Sequence, residues 1–433
     1  MNEAGKTAAK PLGFWGVWSL TVGVMIGSGV FLLPTVLAPY GLLSFGGWLV
    51  TGAGSIAIAL ILGRLASRTK RTGGPYAYAH DAFGELPGFL VGWGYWASVW
   101  TATAAVAVAF TGYLTVFIPA LSDNAVLQAV TALALIWTLT GVSISGTREA
   151  GIVQLVMTIL KLIPLGVIIL AGLAFGDTVN LPEVNPSGGS VTGVLAACAL
   201  LTMWAFAGME AGTIPAGEVT DPERTVPRAV VAGVVVTTLV YIAATAAVML
   251  LVPAGELAAS TSPFADAARN LGTWGPMMIA AGALVATAGS MNGNIFVSGQ
   301  MPMAVALDRL APKVFAKLNR QGAPAFSLIA ASTLSSILLI ANYTRGLVGA
   351  FTFMLMISTL MTLAPYLVSA LAEFRHSWRS ARAWAALAAA AALYSCFAIL
   401  GSGLEVIAWG LGLVALGIPV FYLGRQKAAA GLS

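Results

Sequence analysis

"VGVMIGSGVF", residues 22–31, lies inside a long apolar run, yet it holds three glycines and a serine. Glycine in a helix interior costs about 1 kcal/mol relative to alanine. Two readings fit such a stretch. Small residues let neighbouring helices approach closely in a membrane. Alternatively the helix is interrupted here. In hydrocarbon a break survives only where it lines a cavity or is buried in protein. It then presents N–H groups that suit a carboxylate and carbonyls that suit an ammonium. A single break with Gly27, Ser28 and Gly29 as flexible backbone would meet both ends of a small zwitterion.

The setting follows from composition. The 433 residues are 58% hydrophobic and only 9% charged, with mean hydropathy +0.90. An ordinary soluble domain carries roughly 25% charged residues, so the solvent for this surface is lipid. A span needs about 20 mostly apolar residues. Such runs recur near 14–37, 45–63, 87–117, 126–145, 152–175, 193–217, 229–252, 275–303, 326–343, 348–372, 384–401 and 405–424. The expectation is an all-α polytopic membrane protein of twelve transmembrane helices. The ten-residue alternation of a β-barrel is missing, and no cleavable signal peptide stands out.

Charge gives the orientation. With the N-terminus inside, 18 of the 21 Lys and Arg fall in cytoplasmic segments. These run from Lys6, Lys10, Arg64, Arg68, Lys70, Arg71 and Arg148 to Arg425 and Lys427. Arg269 and Arg345 face out, and Lys161 is left within a span. That bias places both termini in the cytoplasm. The net charge of +5 then reflects orientation rather than nucleic-acid binding. Cys198 and Cys396 both fall in spans, which indicates neither a disulfide nor a metal site.

A second glycine-rich stretch, "TMWAFAGMEAG" at 202–212, interrupts the sixth span with Gly208, Gly212 and the ionisable Glu210. The first and sixth spans open two sets of five helices. Paired interruptions at matching positions point to an inverted-repeat transporter with its site at the midplane. Residue identity between the halves does not itself reveal the repeat. The organisation read from this is a tail at 1–13, a first five-helix repeat at 14–175 and a second, inverted repeat at 193–372. Two further helices follow at 384–424, then a tail at 425–433.

Several motifs now make a resemblance specific. "IGSGVFLLP" stands in the first span and "GGPYAYAHDAFG" at 73–84. "GEVTDPERTVPRA" follows at 217–229, "SPFADAARNLG" at 262–272, "GSMNGNIFVSGQ" at 289–300 and "APYLVSA" at 364–370. In this order they resemble the amino acid–polyamine–organocation transporters, most closely the bacterial arginine/agmatine antiporters, over nearly the full chain. The resemblance implies a LeuT-like 5+5 inverted-repeat fold with broken helices one and six. It implies that Met25, Ser28 and Gly29 hold the substrate's backbone ends with Trp204 and the Ala207 carbonyl. Ser98, Val99, Thr103, Asn294 and Ser358 would form the side-chain pocket. Glu210 matches a carboxylate linked to gating and protons, Tyr95 and Tyr366 match aromatic gates, and Tyr76 matches a cytoplasmic-side aromatic.

Three positions depart from those antiporters. Asn294 stands where they carry a tryptophan that stacks on a guanidinium, a contact worth about 2 kcal/mol when desolvated. Val24 and Thr103 stand where they carry asparagines. A smaller or neutral amino acid fits the altered pocket at least as well as arginine. Lys161, in "VQLVMTILKLIPLG" at 153–166, is an intramembrane cation with no acid nearby in its segment, and such residues are functional candidates by default. It lies roughly 14 Å into its span at about 1.5 Å per residue, too deep for easy snorkelling to the interface. It also resembles the lysine that replaces sodium in sodium-independent members of the superfamily, where it would bridge the first span near Gly23 to Ser290. Proton exchange and a fixed cation both remain open for it. For Glu210 a structural, hydrogen-bonded role stands beside the gating one.

Trp93, Trp96 and Trp100 read as interface anchors or packing residues, and His80 and His376 as loop residues. No phosphate-binding glycine loop with lysine and no H-E-x-x-H set is present, so ATP drive, a metal site, a cofactor and an intramembrane enzyme are not expected. The reading is an inner-membrane amino acid exchanger of the bacterial type, working by alternating access. Its expected partners are an amino acid or amine, protons, lipid and, by likeness, a second copy in a homodimer. Proton-coupled uptake of neutral amino acids and a non-transporting amino acid sensor are the alternatives.

Overall fold

Residues 13–68, 74–145, 151–212, 219 and 221–429 are described in a computed structural model. Lys6, Lys10, Lys70, Arg71 and Arg148, and residues 217, 218 and 220 of the loop motif, lie outside the described residues. The architecture is helical. The long elements are α1 (Phe14–Met25), α3 (Leu43–Arg68), α5 (Glu85–Leu114), α6 (Ala125–Ile144), α7 (Gly151–Phe175) and α8 (Val191–Met203). They continue with α9 (Pro222–Leu251), α12 (Trp274–Leu307), α13 (Ala325–Asn342), α14 (Gly346–Ser377), α15 (Arg382–Leu400) and α16 (Gly403–Ala429). Shorter helices connect them: α2 (Leu33–Leu37), α4 (Pro75–Phe83), α10 (Ala254–Leu257) and α11 (Pro263–Ala267).

Among the described residues, 8 helical stretches are long and apolar enough to cross a membrane. One of them, 325–377, contains both α13 and α14, joined by a 3-10 turn. Three apolar stretches are shorter: 14–25, 161–175 and 191–206. Two of the three are the spans in which interruptions are expected. A break divides a span into pieces, and each piece then falls short of the length a membrane demands.

Burial separates central from peripheral helices. The apolar window of α5 is 89% buried, whereas those of α6 and α16 are 17% and 22% buried. α5 therefore runs through the middle, against α12, α13 and α14, and α6 and α16 turn their apolar sides outward. A second group, α1, α3, α8 and α9, packs together beside it. Small residues make this close. A methyl group on Gly47 would stand 2.3 Å from Cys198 Cβ, and one on Gly54 would stand 2.3 Å from the Tyr394 ring. Thr51 Oγ1 sits 2.7 Å from Thr202 Oγ1 and donates to the Ala199 carbonyl at 3.2 Å. In lipid, such backbone proximity and interhelical hydroxyl bonds are what hold helices together.

Ion pairs close the ends. Arg64 of α3 reaches the fully buried Glu373 of α14 at 2.9 Å and lies 4.2 Å over the Trp384 ring of α15. At the other end Arg345 pairs with Glu405 at 2.6 Å, and Arg269 contacts both Glu256 and Asp266. His80 and His376 belong to α4 and α14, not to loops. His80 is held there because α4 packs on α5, with Gly88 directly under its Cβ. Trp96 and Trp100 are buried packing residues; the Trp96 indole donates to the Ser298 carbonyl at 3.0 Å.

Candidate functional site

Both glycine-rich stretches are interrupted. α1 stops at Met25, and the chain bends through Ile26 and Gly27 before a 3-10 turn over Ser28–Phe31 and then α2. α8 stops at Met203, and a 3-10 turn over Trp204–Phe206 leads to extended Ala207. Gly208 has φ +97°, and a second 3-10 turn spans Met209–Gly212. Only glycine takes such a φ without strain. The two breaks touch. A methyl on Gly29 would meet Ala205 Cα and the Trp204 ring at 3.4 Å, and one on Gly208 would lie 2.4 Å from Val24 Cγ1.

The polar groups that the breaks release are partly claimed by the fold. Tyr241 of α9, fully buried, directs its hydroxyl at two carbonyls: Met25 at 2.6 Å and Ala205 at 3.1 Å. It thus joins the end of α1 to the turn after α8. Trp48 and Phe206 pack on its ring at 5.1 and 5.7 Å. Tyr113 of α5 donates to the Phe31 carbonyl at 2.6 Å. Neither tyrosine follows from the motifs. The available signal is general: a tyrosine inside an apolar span needs a partner for its hydroxyl.

Between the breaks, α5, α7, α12 and α14 lies a cavity of about 340 Å³. Met25, Gly29, Tyr95, Ser98, Val99, Trp204, Ala207, Glu210, Asn294 and Ser358 line it, as do Lys161 and Ser290. Gly23, Val24, Asn292 and Thr362 also face it. Thr103 and Tyr366 stand behind the lining, and Tyr76 lies apart from it. Thr103 is buried with its hydroxyl on the Val99 carbonyl at 3.0 Å. Tyr76 donates to Asp308 at 2.7 Å, near the end of α12. The Ser28 side chain lies outside the described residues. Along α5 and α14 the hydroxyl protons are committed inward. Ser98 donates to Tyr95 O at 2.7 Å, Ser358 to Ser98 O at 2.8 Å and Thr362 to Ser358 O at 2.9 Å.

One carboxylate and one amine face this space among the described residues. Glu210 is 8% exposed and accepts from the Tyr366 hydroxyl at 2.7 Å, the Gly208 N–H at 3.1 Å and the Tyr95 hydroxyl at 3.3 Å. The carboxylate so fastens the second break to α5 and α14. Lys161 is 5% exposed and shares the cavity with Gly23 and Ser290. Among the described residues no hydrogen bond or ion pair from its amine to either is present. Buried aromatics pack near α2 and behind Trp204: Phe31 meets Phe264 at 5.4 Å, and Trp204 of the cavity lining meets Phe351 edge-on at 5.4 Å.

A cavity that carries polar groups among apolar helices and is lined by both breaks is a place where a polytopic membrane protein can hold a small solute. The amino acid permease family model matches residues 12–421, and the chain belongs to that family. It is 31% identical to the "Putative arginine/ornithine antiporter" of Bacillus subtilis (strain 168), over 96% of this chain and 98% of the relative. Identity to the cadaverine/lysine antiporter of Escherichia coli (strain K12) is 29%, over 97% and 96% of the two chains. Identity to the putrescine transporter PotE of the same strain is 28%, over 93% and 94%. The protein is a multi-pass membrane transporter and not an enzyme.

Proposed function

We propose that the protein exchanges amino acids across a bacterial inner membrane by alternating access, with both termini in the cytoplasm. The observation that carries this reading is the meeting of two interrupted helices over one polar cavity. Amides around Gly27 and Gly29 suit the substrate carboxylate, as helix N-termini do. The Ala207 carbonyl suits its ammonium. Trp204 covers it, and Ser98, Val99, Asn294 and Ser358 surround its side chain, with Thr103 backing Val99. Glu210, clasped by Tyr95 and Tyr366, serves as gate and proton-linked group, and Tyr76 closes the end near Asp308.

Twelve spans and a 5+5 repeat fit the helices. The two helices within 325–377 count separately, and the three shorter apolar stretches complete the set. The two interrupted helices, α1 and α8, would then rock against the rest. Lys161 favours a second reading, proton-coupled uptake, in which its amine carries the charge that sodium carries elsewhere.

Purified protein in vesicles separates these readings. Exchange requires an amino acid on the far side. Proton-coupled uptake responds to an imposed pH gradient with no internal amino acid. A protein that binds amino acids yet moves none under either condition is a sensor, and that result would overturn both transport readings.

A further inference from the structure

Relatives named for arginine, ornithine, lysine, cadaverine and putrescine make a cationic substrate the default. The charges in this cavity argue otherwise. Among the described residues that line it, Lys161 is the one cation and Glu210 the one carboxylate. Among the described residues, Glu210 already accepts from three donors, two of them tyrosine hydroxyls. Lys161 reaches the cavity from α7, where Pro164 packs on Gly282 of α12. A turn before Pro164, it faces the space beside Gly289 and Ser290. Asn294 lies one helical turn beyond Ser290, and side chains four apart are neighbours on a helix face.

We infer that the cavity takes a neutral amino acid and discriminates against cationic ones. The inference rests on the proposed transport reading and names its substrate class. When Lys161 is protonated and Glu210 ionised, the two charges balance, and a zwitterion with an uncharged side chain leaves them balanced. Arginine, ornithine or a diamine brings a further positive charge, and a buried charge is expensive unless paired. If the Lys161 amine is protonated, it repels the newcomer. If it is not, the incoming cation has only a carboxylate whose oxygens are already hydrogen-bonded. The Ser98 and Ser358 oxygens, whose protons go to backbone carbonyls, and the Asn294 amide offer polar contacts to the side chain, not countercharge.

The test is a ligand panel on purified full-length protein, with melting midpoint and exchange in vesicles read in parallel. Serine, threonine, glutamine and leucine are compared with arginine, ornithine and cadaverine. At least one neutral amino acid is expected to act at a concentration tenfold or more below that of any cationic ligand. Lys161→Gln should narrow that ratio at least threefold, read as midpoint shifts even where transport is lost. Cationic ligands acting as well as neutral ones, with exchange intact, would overturn the inference and leave the transport reading standing. If no amino acid of either kind binds or exchanges, the transport reading fails and takes the inference with it.

Discussion

At the first break Gly27 has φ −122°, which imposes no need for glycine. At the second, Gly208 has φ +97°, which side chains rarely adopt. The neighbours differ too. A methyl on Gly27 would meet the Ser290 hydroxyl at 3.2 Å, a contact that a small shift relieves. One on Gly208 would overlap Val24 at 2.4 Å. The first break is thus shaped by space, and the second by backbone conformation and space together. A carboxylate two residues on, Glu210, reaches back to the Gly208 N–H, so the second break is also electrostatically fastened. The first has no acid of its own and relies on Tyr241 from another helix.

If this contrast is right, Gly208→Ala gives the largest effect. A left-handed residue with a Cβ costs roughly 1–2 kcal/mol, and overpacking adds typically 1–3 kcal/mol. Exchange in vesicles is expected to fall about a hundredfold or more. Adding Val24→Ala should recover only part of the loss, because it removes the overlap but not the strain. Wild-type exchange by Gly208→Ala would show that the second break does not depend on its glycine.

Glu210→Gln ranks next. It keeps the size and an acceptor for Gly208 but removes the charge. Hydrogen bonds to charged groups are worth about 1.5–3 kcal/mol, so exchange should drop tenfold or more. The pH profile is the sharper readout: it should flatten in the variant. A profile unchanged in shape would confine Glu210 to a structural role.

Tyr241→Phe tests the link between the breaks. It deprives the Met25 and Ala205 carbonyls of one donor. An unsatisfied buried acceptor costs about 1–3 kcal/mol, moderated here because the Gly27 N–H also reaches Met25 O at 2.8 Å. Ligand affinity should weaken about fivefold, with a lower melting midpoint. If only the midpoint moves, Tyr241 supports the fold without positioning the site.

What was readable in the sequence follows the same division. Both breaks announced themselves because glycine, serine and an acid are conspicuous in an apolar run, and Lys161 for the same reason. Tyr241 and Glu373 did not. Each acts through a partner on a distant helix, Met25 for one and Arg64 for the other, and no local spacing encodes such a meeting. Thr103 shows the converse: its position in the chain suited the pocket, but its hydroxyl turns back to its own helix, as threonines in apolar helices often do. The two interruptions were legible as glycine-rich stretches; that the halves containing them form an inverted pair belongs to the proposed reading, and residue identity between them does not carry it.

Gly27→Ala should have the smallest effect, and it tests the first break most directly. Its added methyl needs the Ser290 side chain to yield by a few tenths of an ångström. Exchange is expected to fall only two- to threefold. Ser290→Ala lowers the local crowding but also alters a residue that shares the cavity with Lys161, so the double variant must be compared with Ser290→Ala rather than with wild type. Residues in contact couple, and a cycle isolates that coupling. On the Ser290→Ala background, Gly27→Ala should cost nothing measurable. A tenfold loss that persists on that background would mean that the first break, like the second, needs glycine for its backbone, and the contrast between the two would collapse.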